Sequence, residues 1–109
     1  LGAAALGDIG LHFPDTSDEF NGADSKLLLA RCVELLREKG YAVGNVDCTI
    51  SMQRPTLRPH IDRMRETIAR TIGIDTDAVS VKATTTERLG FEGREEGVSV
   101  AAVALIYRE

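Results

Sequence analysis

Residues 98–107, near the C-terminus, constrain the fold more than any other part of the sequence. Both alternating sets of side chains are apolar there, with Val100 and Ile106 in one set and Val103 and Leu105 in the other. A strand that is apolar on both faces is typical of a sheet that is covered on both sides. The pattern predicts such a buried strand, and an alanine-rich helix is the alternative that the composition leaves open.

Upstream of this run, the sequence pattern alternates helices with strands. Apolar residues at helical spacing predict helices over 25–39 and 59–72, and period-two alternation predicts strands over 45–51 and 79–83. Three strands make a thin sheet. A symmetric oligomer is therefore the simplest cover for the second face of the last strand.

The remaining segments are predicted to be short or irregular. Residues 1–6 resemble the tail of a helix that stops at Gly7, residues 7–24 predict a long loop, and residues 84–97 predict a polar connection that contains glycines. No repeat, low-complexity tract or linker divides the 109 residues. We therefore expect a single domain.

Charge and composition exclude several classes of protein. Lys and Arg number 13 and Asp and Glu number 17, a net charge of −4 that disfavours a general nucleic-acid binder. No apolar run reaches the roughly 18–20 residues of a membrane span. Because the sequence lacks an initiating methionine, we expect it to belong to a longer protein. Cys32 and Cys48 occupy apolar positions, which predicts buried free thiols in a reducing cytoplasm rather than a disulfide or a metal site.

Two polar loops carry residue types that suit phosphate chemistry. Residues 7–16 offer two carboxylates, a histidine and glycines that let the backbone approach a polyol or a metal-bound phosphate, although an ordinary surface turn has the same composition. Residues 82–87 place three hydroxyls and one carboxylate after a strand, where they suit phosphate oxygens and a divalent cation; an exposed strand end is the alternative. His60, in the first turn of a helix, is expected to cap or pack rather than to catalyse.

Six short strings resemble one enzyme family, in the family's own order and over the whole chain. They are Leu-Gly-Asp-Ile-Gly-x-x-Phe-Pro-Asp-Thr (6–16), Gly-Ala-Asp-Ser (22–25), Gly-Tyr-x-x-Gly-Asn-Val-Asp (40–47), Pro-His-Ile (59–61), Val-Lys-Ala-Thr-Thr-Thr-Glu (81–87) and Leu-Gly-Phe-x-Gly-Arg-x-Glu-Gly (89–97). The sequence thereby resembles the 2-C-methyl-D-erythritol 2,4-cyclodiphosphate synthases.

The resemblance implies a fold, an assembly and a reaction. The fold is α+β, with a mixed sheet packed with helices, and the assembly is a homotrimer with sheets around a threefold axis and active sites between subunits. The enzyme is a cytoplasmic phosphorus–oxygen lyase of non-mevalonate isoprenoid biosynthesis. It converts 4-diphosphocytidyl-2-C-methyl-D-erythritol 2-phosphate to the cyclic diphosphate and releases CMP. No nucleic acid or membrane partner is implied. A non-catalytic oligomer that binds cytidine nucleotides or isoprenoid diphosphates is the alternative function.

The same resemblance assigns the site residues. The erythritol-phosphate half of the site corresponds to Asp8, Ile9, Gly10, Phe13, Pro14, Asp15, Thr16 and Ser17. The nucleotide half corresponds to Met52, Gln53, Arg54, Pro55, Thr56, Leu57, Arg58, Ala83, Thr84, Thr85, Thr86 and Glu87. Thr85 is the catalytic residue of this set, and Glu87 binds a Mg²⁺ or Mn²⁺ ion that bridges the diphosphate. Phe91 and Arg94 are assigned to a central cavity that can hold an isoprenoid diphosphate, and pairing of Arg94 with Glu95 or Glu96 is the alternative.

The sequence departs from the family pattern in four places. The motifs for a second divalent metal, of zinc type, belong to an N-terminal segment that these residues do not include, and we expect the 109 residues alone to be inactive. Neither His12 nor His60 matches a position of those motifs. Thr56 replaces a common Lys, Ser17 a common Asp and Glu95 a common Gly.

Overall fold

A computed structural model describes residues 1–14 and 24–109 of the chain. Its helices and strands are, in chain order, α1 (Ile9–His12), α2 (Ser25–Glu38), β1 (Tyr41–Ser51), α3 (Ile61–Ile72), β2 (Val79–Thr84), α4 (Gly90–Gly93) and β3 (Ser99–Arg108). Short 3₁₀ turns at Gly2–Ala4, Arg58–His60 and Thr76–Ala78 complete the described elements. The predicted α+β class is confirmed.

The three strands form one mixed sheet in the order β2-β1-β3. Strand β1 lies in the centre, parallel to β2 and antiparallel to β3. Helix α3 packs on β2, and α2 packs beside α3 and against β1. The buried core is centred on Ile50, Ala69, Val79 and Val81. Because Ile50 comes from β1, Ala69 from α3 and the two valines from β2, this core holds α3 against the β1–β2 side of the sheet.

Both long helices begin and end close to the predicted residues. The side chain of Asp24 accepts a 2.8 Å hydrogen bond from the backbone N–H of Lys26, so Asp24 is the N-cap of α2. Gly40 (φ 84°) and Gly73 (φ 88°) follow the helices α2 and α3 in the left-handed conformation that glycine adopts without strain. The Pro59 position is a 3₁₀ turn that leads into α3, rather than the first turn of α3 itself.

Asp24 gives a prediction about stability and pH. The backbone N–H of Lys26, and next its side chain, hold the pKa of the Asp24 carboxyl below its ordinary value. This contribution to stability is therefore present above the ordinary aspartate pKa and is lost as pH falls through the lowered pKa. We expect Asp24→Ala to lower the Tm at neutral pH and Asp24→Asn, which still caps the helix, to preserve it. Thermal unfolding of both variants between neutral pH and about pH 3 measures this; equal Tm values for the two variants at neutral pH would contradict the capping role.

Strand β1 begins earlier than the sequence pattern predicts. It starts at Tyr41 rather than near residue 45, and its pairing with β3 shifts register between Val43 and Asn45. A side chain on Gly44 would lie 3.3 Å from the carbonyl oxygen of Leu105, which explains a glycine at this bulge. The bulge interrupts the alternation of side chains, so the first part of the strand gives no period-two signal.

Three other predictions differ in detail. The N-terminal segment makes a single 3₁₀ turn that ends at Ala5 (φ 57°), not the end of an α-helix. Helix α1 lies within the predicted loop because the Asp8 side chain accepts a 2.9 Å hydrogen bond from the N–H of Leu11. Helix α4 lies within the predicted polar connection. Each is a single turn, too short to produce a helical period in the sequence.

Strand β3 forms as predicted, so the alternative of an alanine-rich helix is wrong. Its burial on both faces is not achieved within this chain. Val100 is 64% exposed and Val103, on the opposite face, is 72% exposed. The reason is topological: β3 is the edge strand of the sheet, and the core lies at the β1–β2 side.

Cys32 and Cys48 are free and partly buried, and burial raises the pKa of both thiols. The two thiols are free, as predicted, but they are partly buried rather than buried. None of the helices in the described ranges is long and apolar enough to cross a membrane.

Candidate active site

The candidate site is built where the two parallel strands end. Ser51, the last residue of β1, pairs with Thr84, the last residue of β2, and the N–H of Met52 donates a 3.0 Å hydrogen bond to the Thr84 carbonyl. The chain therefore leaves both strands at the same edge of the sheet. Residues 52–58 and the residues after Thr84 are placed side by side, although they are far apart in sequence.

These two segments line a half-open cavity of about 140 Å³. It is lined by Met52, Gln53, Pro55, Thr56, Leu57, Arg58, Ala83, Thr84 and Thr85. Every lining residue belongs to the set predicted for the nucleotide half of the site. Arg54, Thr86 and Glu87, the other members of that set, are not part of the lining.

The lining combines apolar walls with a few polar groups. Met52 and Leu57 also pack against the buried core, which fixes the floor of the cavity to the sheet. Thr56, Thr84 and Thr85 contribute hydroxyls, Gln53 an amide and Arg58 a guanidinium. An apolar pocket with a small number of fixed polar groups is typical of a small-molecule site, and a cation with several hydroxyls suits a phosphorylated ligand.

The turn after β2 holds Thr85 with its hydroxyl proton available. The Thr85 hydroxyl accepts a 3.3 Å hydrogen bond from the backbone N–H of Glu87, and the Thr84 hydroxyl donates to the Thr85 carbonyl at 3.2 Å. A hydroxyl that accepts one bond still has its own proton to donate. In the part of the chain that the structure describes, that proton has no protein acceptor within bonding distance, so it is free for a ligand oxygen.

Glu87 is exposed and adopts a left-handed backbone conformation (φ 53°) just outside the cavity. Its single carboxylate fits one ligand of a hard divalent cation whose other ligands would be phosphate and water oxygens. A site of zinc type needs several protein ligands, and the described ranges contain no group of three or more His, Cys, Asp or Glu side chains close enough to hold a metal. The described donors therefore do not fit a zinc-type centre, and at Glu87 they offer one carboxylate ligand for a hard cation.

The described residues of the first predicted loop make local contacts. Asp8 caps α1, Ile9 is 54% exposed, and Phe13 is buried. Among the described residues, none from 8 to 14 lines the cavity. Asp15, Thr16 and Ser17 lie outside the described residues.

Neither histidine is drawn into the site. The Nε2 atom of His12 lies 2.7 Å from the carbonyl oxygen of Leu6, which gives it a local structural contact. His60 occupies the N-cap position of α3, but its side chain makes no capping hydrogen bond. The sequence predicted that His60 caps or packs, but the cap does not form and the residue is exposed.

Residues 88–96, which we call the 88–96 turn, carry the charges predicted for the central cavity. Arg94 forms a two-pronged ion pair with Glu96, with Nε 2.9 Å from one carboxylate oxygen and Nη2 3.3 Å from the other. Glu95 pairs instead with Arg54, at 3.3 Å. Phe91 is 44% exposed. Of the two pairings left open for Arg94 by the sequence, the one with Glu96 is present.

Sequence reasoning missed two contacts between the 88–96 turn and the cavity wall. The N–H of Arg88 donates a 3.2 Å hydrogen bond to the side-chain oxygen of Gln53, next to the Arg54–Glu95 pair. No periodic pattern relates positions so distant in sequence. The glycine at position 93 is the one available signal, because a side chain there would lie 2.2 Å from the Arg88 carbonyl carbon.

Comparison with known proteins gives consistent matches over nearly the whole chain. The YgbB family matches residues 1–107. A 2-C-methyl-D-erythritol 2,4-cyclodiphosphate synthase from Ectopseudomonas mendocina is 62% identical over 108 residues, which are 99% of this chain and 69% of that protein. The enzyme of the same name from Thioalkalivibrio sulfidiphilus is 63% identical over 106 residues, 97% of this chain and 66% of that protein. The chain thus spans about two thirds of the length of these curated relatives.

Solved structures agree with the sequence matches. The bifunctional IspDF from Campylobacter jejuni superposes with a TM-score of 0.90 at 42% identity, over 97% of this chain and 28% of that one. The IspF of Plasmodium falciparum in complex with CDP superposes with a TM-score of 0.86 at 29% identity, over 100% of this chain and 65% of that one.

Proposed function

The chain belongs to the YgbB family of 2-C-methyl-D-erythritol 2,4-cyclodiphosphate synthases, and we propose that the protein catalyses the reaction that gives the family its name. In this reaction the 2-phosphate of 4-diphosphocytidyl-2-C-methyl-D-erythritol 2-phosphate attacks the β-phosphorus of the cytidine diphosphate. The new P–O bond closes the cyclic diphosphate. The bond from the β-phosphorus to the bridging oxygen breaks, and CMP leaves with that oxygen. The protein is then a phosphorus–oxygen lyase, which we place in the cytoplasm and in non-mevalonate isoprenoid biosynthesis.

One observation carries the proposal: two segments that resemble the nucleotide half of the family site meet around a single cavity at the ends of β1 and β2. A solved relative with the same fold was determined with CDP bound. The cavity has the residue types that a cytidine diphosphate group requires, namely apolar walls for a base and hydroxyls with a guanidinium for phosphates.

Within this cavity we assign a separate task to each wall. Residues 52–58 bind the cytosine, largely through backbone groups, which makes the binding tolerant of a residue such as Thr56. The hydroxyl of Thr85 donates a hydrogen bond to a phosphate oxygen as negative charge shifts during attack. Preorganised donors of this kind are among the largest sources of rate enhancement.

Glu87 completes the nucleotide half by binding Mg²⁺ or Mn²⁺ at the substrate diphosphate. A cation there supplies charge neutralisation for the two phosphorus groups. The second, zinc-type metal of the family would take its ligands from residues other than those described here. We assign the erythritol-phosphate half to residues 8–17, in which Asp8 or Asp15 supplies acceptors for substrate hydroxyls.

We further propose that the protein is a homotrimer. The exposed apolar residues of β3, Val100 on one face and Val103 and Leu105 on the other, are the supporting observation. Single exposed apolar residues are ordinary, but a whole strand of them is typical of an interface. In a trimer with sheets around a threefold axis, neighbouring subunits cover this strand and complete each active site.

The central cavity of such a trimer gives a prediction for Arg94. Three guanidiniums near an axis would repel one another unless anions lie among them, and in each subunit the Glu96 carboxylate already pairs with Arg94. An isoprenoid diphosphate would supply the anion, and its tail would pack against Phe91. We expect geranyl or farnesyl diphosphate to raise the Tm of the intact protein, and we expect Arg94→Ala to abolish that increase. If the ligand raised the Tm of the wild type and of Arg94→Ala equally, Arg94 would have no part in ligand binding beyond its ion pair with Glu96.

Turnover tests the proposed function. The intact protein, supplied with 4-diphosphocytidyl-2-C-methyl-D-erythritol 2-phosphate and Mg²⁺, is expected to release CMP, which chromatography quantifies. A chelator is expected to stop the release, and added divalent metal to restore it. CDP binding without CMP release would indicate the alternative, a non-catalytic nucleotide-binding oligomer.

A further inference from the structure

Two contacts attach the 88–96 turn to neighbouring residues of the cavity wall. The backbone N–H of Arg88 donates to the side-chain oxygen of Gln53 at 3.2 Å. The Nε atom of Arg54 lies 3.3 Å from a carboxylate oxygen of Glu95. Gln53 lines the cavity, and Arg54 stands between two lining residues, so both contacts act on the same part of the wall.

The turn that makes these contacts is held in shape by its own backbone. The N–H of Arg94 bonds to the Gly90 carbonyl at 3.1 Å, and the N–H of Glu96 bonds to the Phe91 carbonyl at 2.9 Å. Gly93 packs so closely on Arg88 that a side chain would overlap it. The turn can therefore serve as a fixed support for Gln53 and Arg54, which lie between the two core-packed residues Met52 and Leu57 of the wall.

Glu95 occupies this support in an unusual conformation. Its φ is 62°, in the left-handed region that residues with a side chain rarely adopt and that glycine adopts freely. Glycine would adopt this backbone conformation with less strain. The residue is nevertheless a glutamate, and its carboxylate pairs with Arg54. Strain of this kind in a non-glycine residue often accompanies a functional role.

We propose that Glu95 is a positioning residue that strengthens nucleotide binding through Arg54. This rests on the proposed function, in which residues 52–58 bind the cytosine. By holding Arg54, Glu95 reduces the number of conformations of the empty wall, so less conformational freedom is lost when the nucleotide binds. Glu95 itself is outside the cavity and touches no reacting atom, so it acts on affinity and not on the chemical step.

The expected effect is small in size but distinctive in sign. Both side chains are well exposed, and removing an exposed ion pair is expected to weaken CDP binding by about two- to fivefold. Simple electrostatics predicts the reverse, because loss of a carboxylate near an anionic ligand should strengthen binding. If CDP binds more weakly after Glu95 is neutralised, Glu95 therefore acts on the nucleotide through Arg54 and not through its own charge.

The test measures the Kd of CDP by calorimetry for the intact wild type, Glu95→Gln and Glu95→Gly, with Glu66→Gln, an exposed glutamate of α3, as the matched control. We expect both Glu95 variants to bind more weakly and the control to bind as the wild type does. The Glu95→Gly variant should keep or raise the Tm, since glycine suits the φ of 62°, while its affinity falls. At about 1 M salt the Debye length is about 3 Å, so the Kd of CDP for Glu95→Gln should approach that of the wild type.

The outcomes distinguish a failure of the Glu95 role from a failure of the proposed nucleotide site. If the wild type binds CDP and the Glu95 variants bind it equally well or more tightly, the positioning role is wrong and the nucleotide site stands. The role is also wrong if the difference in Kd between Glu95→Gln and the wild type persists at high salt. It is wrong, too, if the substitution lowers kcat and leaves KM unchanged. If the wild type does not bind CDP, the assignment of the cavity fails, and the role of Glu95 fails with it.

Discussion

Replacing Thr85 by Val in the intact protein is expected to lower kcat by about 10²–10³. Valine keeps the shape and the β-branching of threonine and removes only the hydroxyl. That hydroxyl lies in the cavity wall, accepts a hydrogen bond from the Glu87 N–H and has its proton free for a phosphate oxygen. Because the bond to the ligand strengthens as charge develops, its loss should appear in kcat more than in KM. Steady-state kinetics of CMP release measures both constants.

The matched control is Thr85→Ser, which restores the hydroxyl on a smaller side chain. We expect it to recover most of the lost kcat, and we expect both variants to retain the wild-type Tm because Thr85 is exposed. If the serine and valine variants were equally active, the hydroxyl would have no part in the reaction. A large fall in Tm would mean that Thr85 acts through the fold.

Gly93→Ala is expected to have the largest effect on stability of any change at the site. The added methyl would lie 2.2 Å from the carbonyl carbon and 2.5 Å from the Cα of Arg88, and both are backbone atoms that cannot rotate away. Overpacking of this kind typically costs about 1–3 kcal/mol. Displacement of Arg88 should also break its hydrogen bond to Gln53, so we expect the KM for the substrate to rise as the Tm falls.

Gly2→Ala is the control for this change, because a side chain at Gly2 would meet nothing within 4 Å. We expect it to alter stability by less than about 0.5 kcal/mol. Thermal or denaturant unfolding of the two variants decides the matter. Similar stabilities for Gly93→Ala and Gly2→Ala would show that the turn yields easily, and it could not then support the cavity wall.

The parts of the fold that follow from local periodicity could be predicted. Helices α2 and α3 match their predicted limits closely because their apolar spacing agrees with the glycines that follow them. Strand β2 does so because its side chains alternate. The first half of β1 could not be predicted. Its signal is lost at the Gly44 bulge, and its pairing partner is the distant β3. The single-turn helices α1 and α4 depend on caps and tight packing, which leave no period in the sequence.

The residues that line the cavity could be predicted from the sequence, but the contacts that the 88–96 turn makes with its wall could not. The family resemblance assigned residues 52–58 and 83–87 to one site, and the parallel pairing of β1 with β2 explains why they meet. The contacts from Glu95 and Arg88 depend on left-handed backbone conformations at both residues. A residue type does not reveal such a conformation, so these contacts appear only in three dimensions.

The sequence of a single chain predicts that β3 is covered on both faces but does not show what covers it. The sequence of residues 98–107 indicates a strand covered on both faces, and the single chain leaves Val103 72% exposed. The pattern therefore describes an environment that neighbouring subunits would supply. Analytical ultracentrifugation of the intact protein is expected to give three copies.

The most direct test of the account follows the phosphorus atoms of the substrate. Phosphorus NMR of the intact protein with 4-diphosphocytidyl-2-C-methyl-D-erythritol 2-phosphate and Mg²⁺ distinguishes cyclisation from hydrolysis, because only cyclisation joins the 2-phosphate to the former β-phosphorus. We predict that the cyclic diphosphate and CMP appear in equal amounts, and that Thr85→Val slows both. CMP released with a linear product, or a substrate that stays intact while CDP binds, would contradict the assignment of this protein as a cyclodiphosphate synthase.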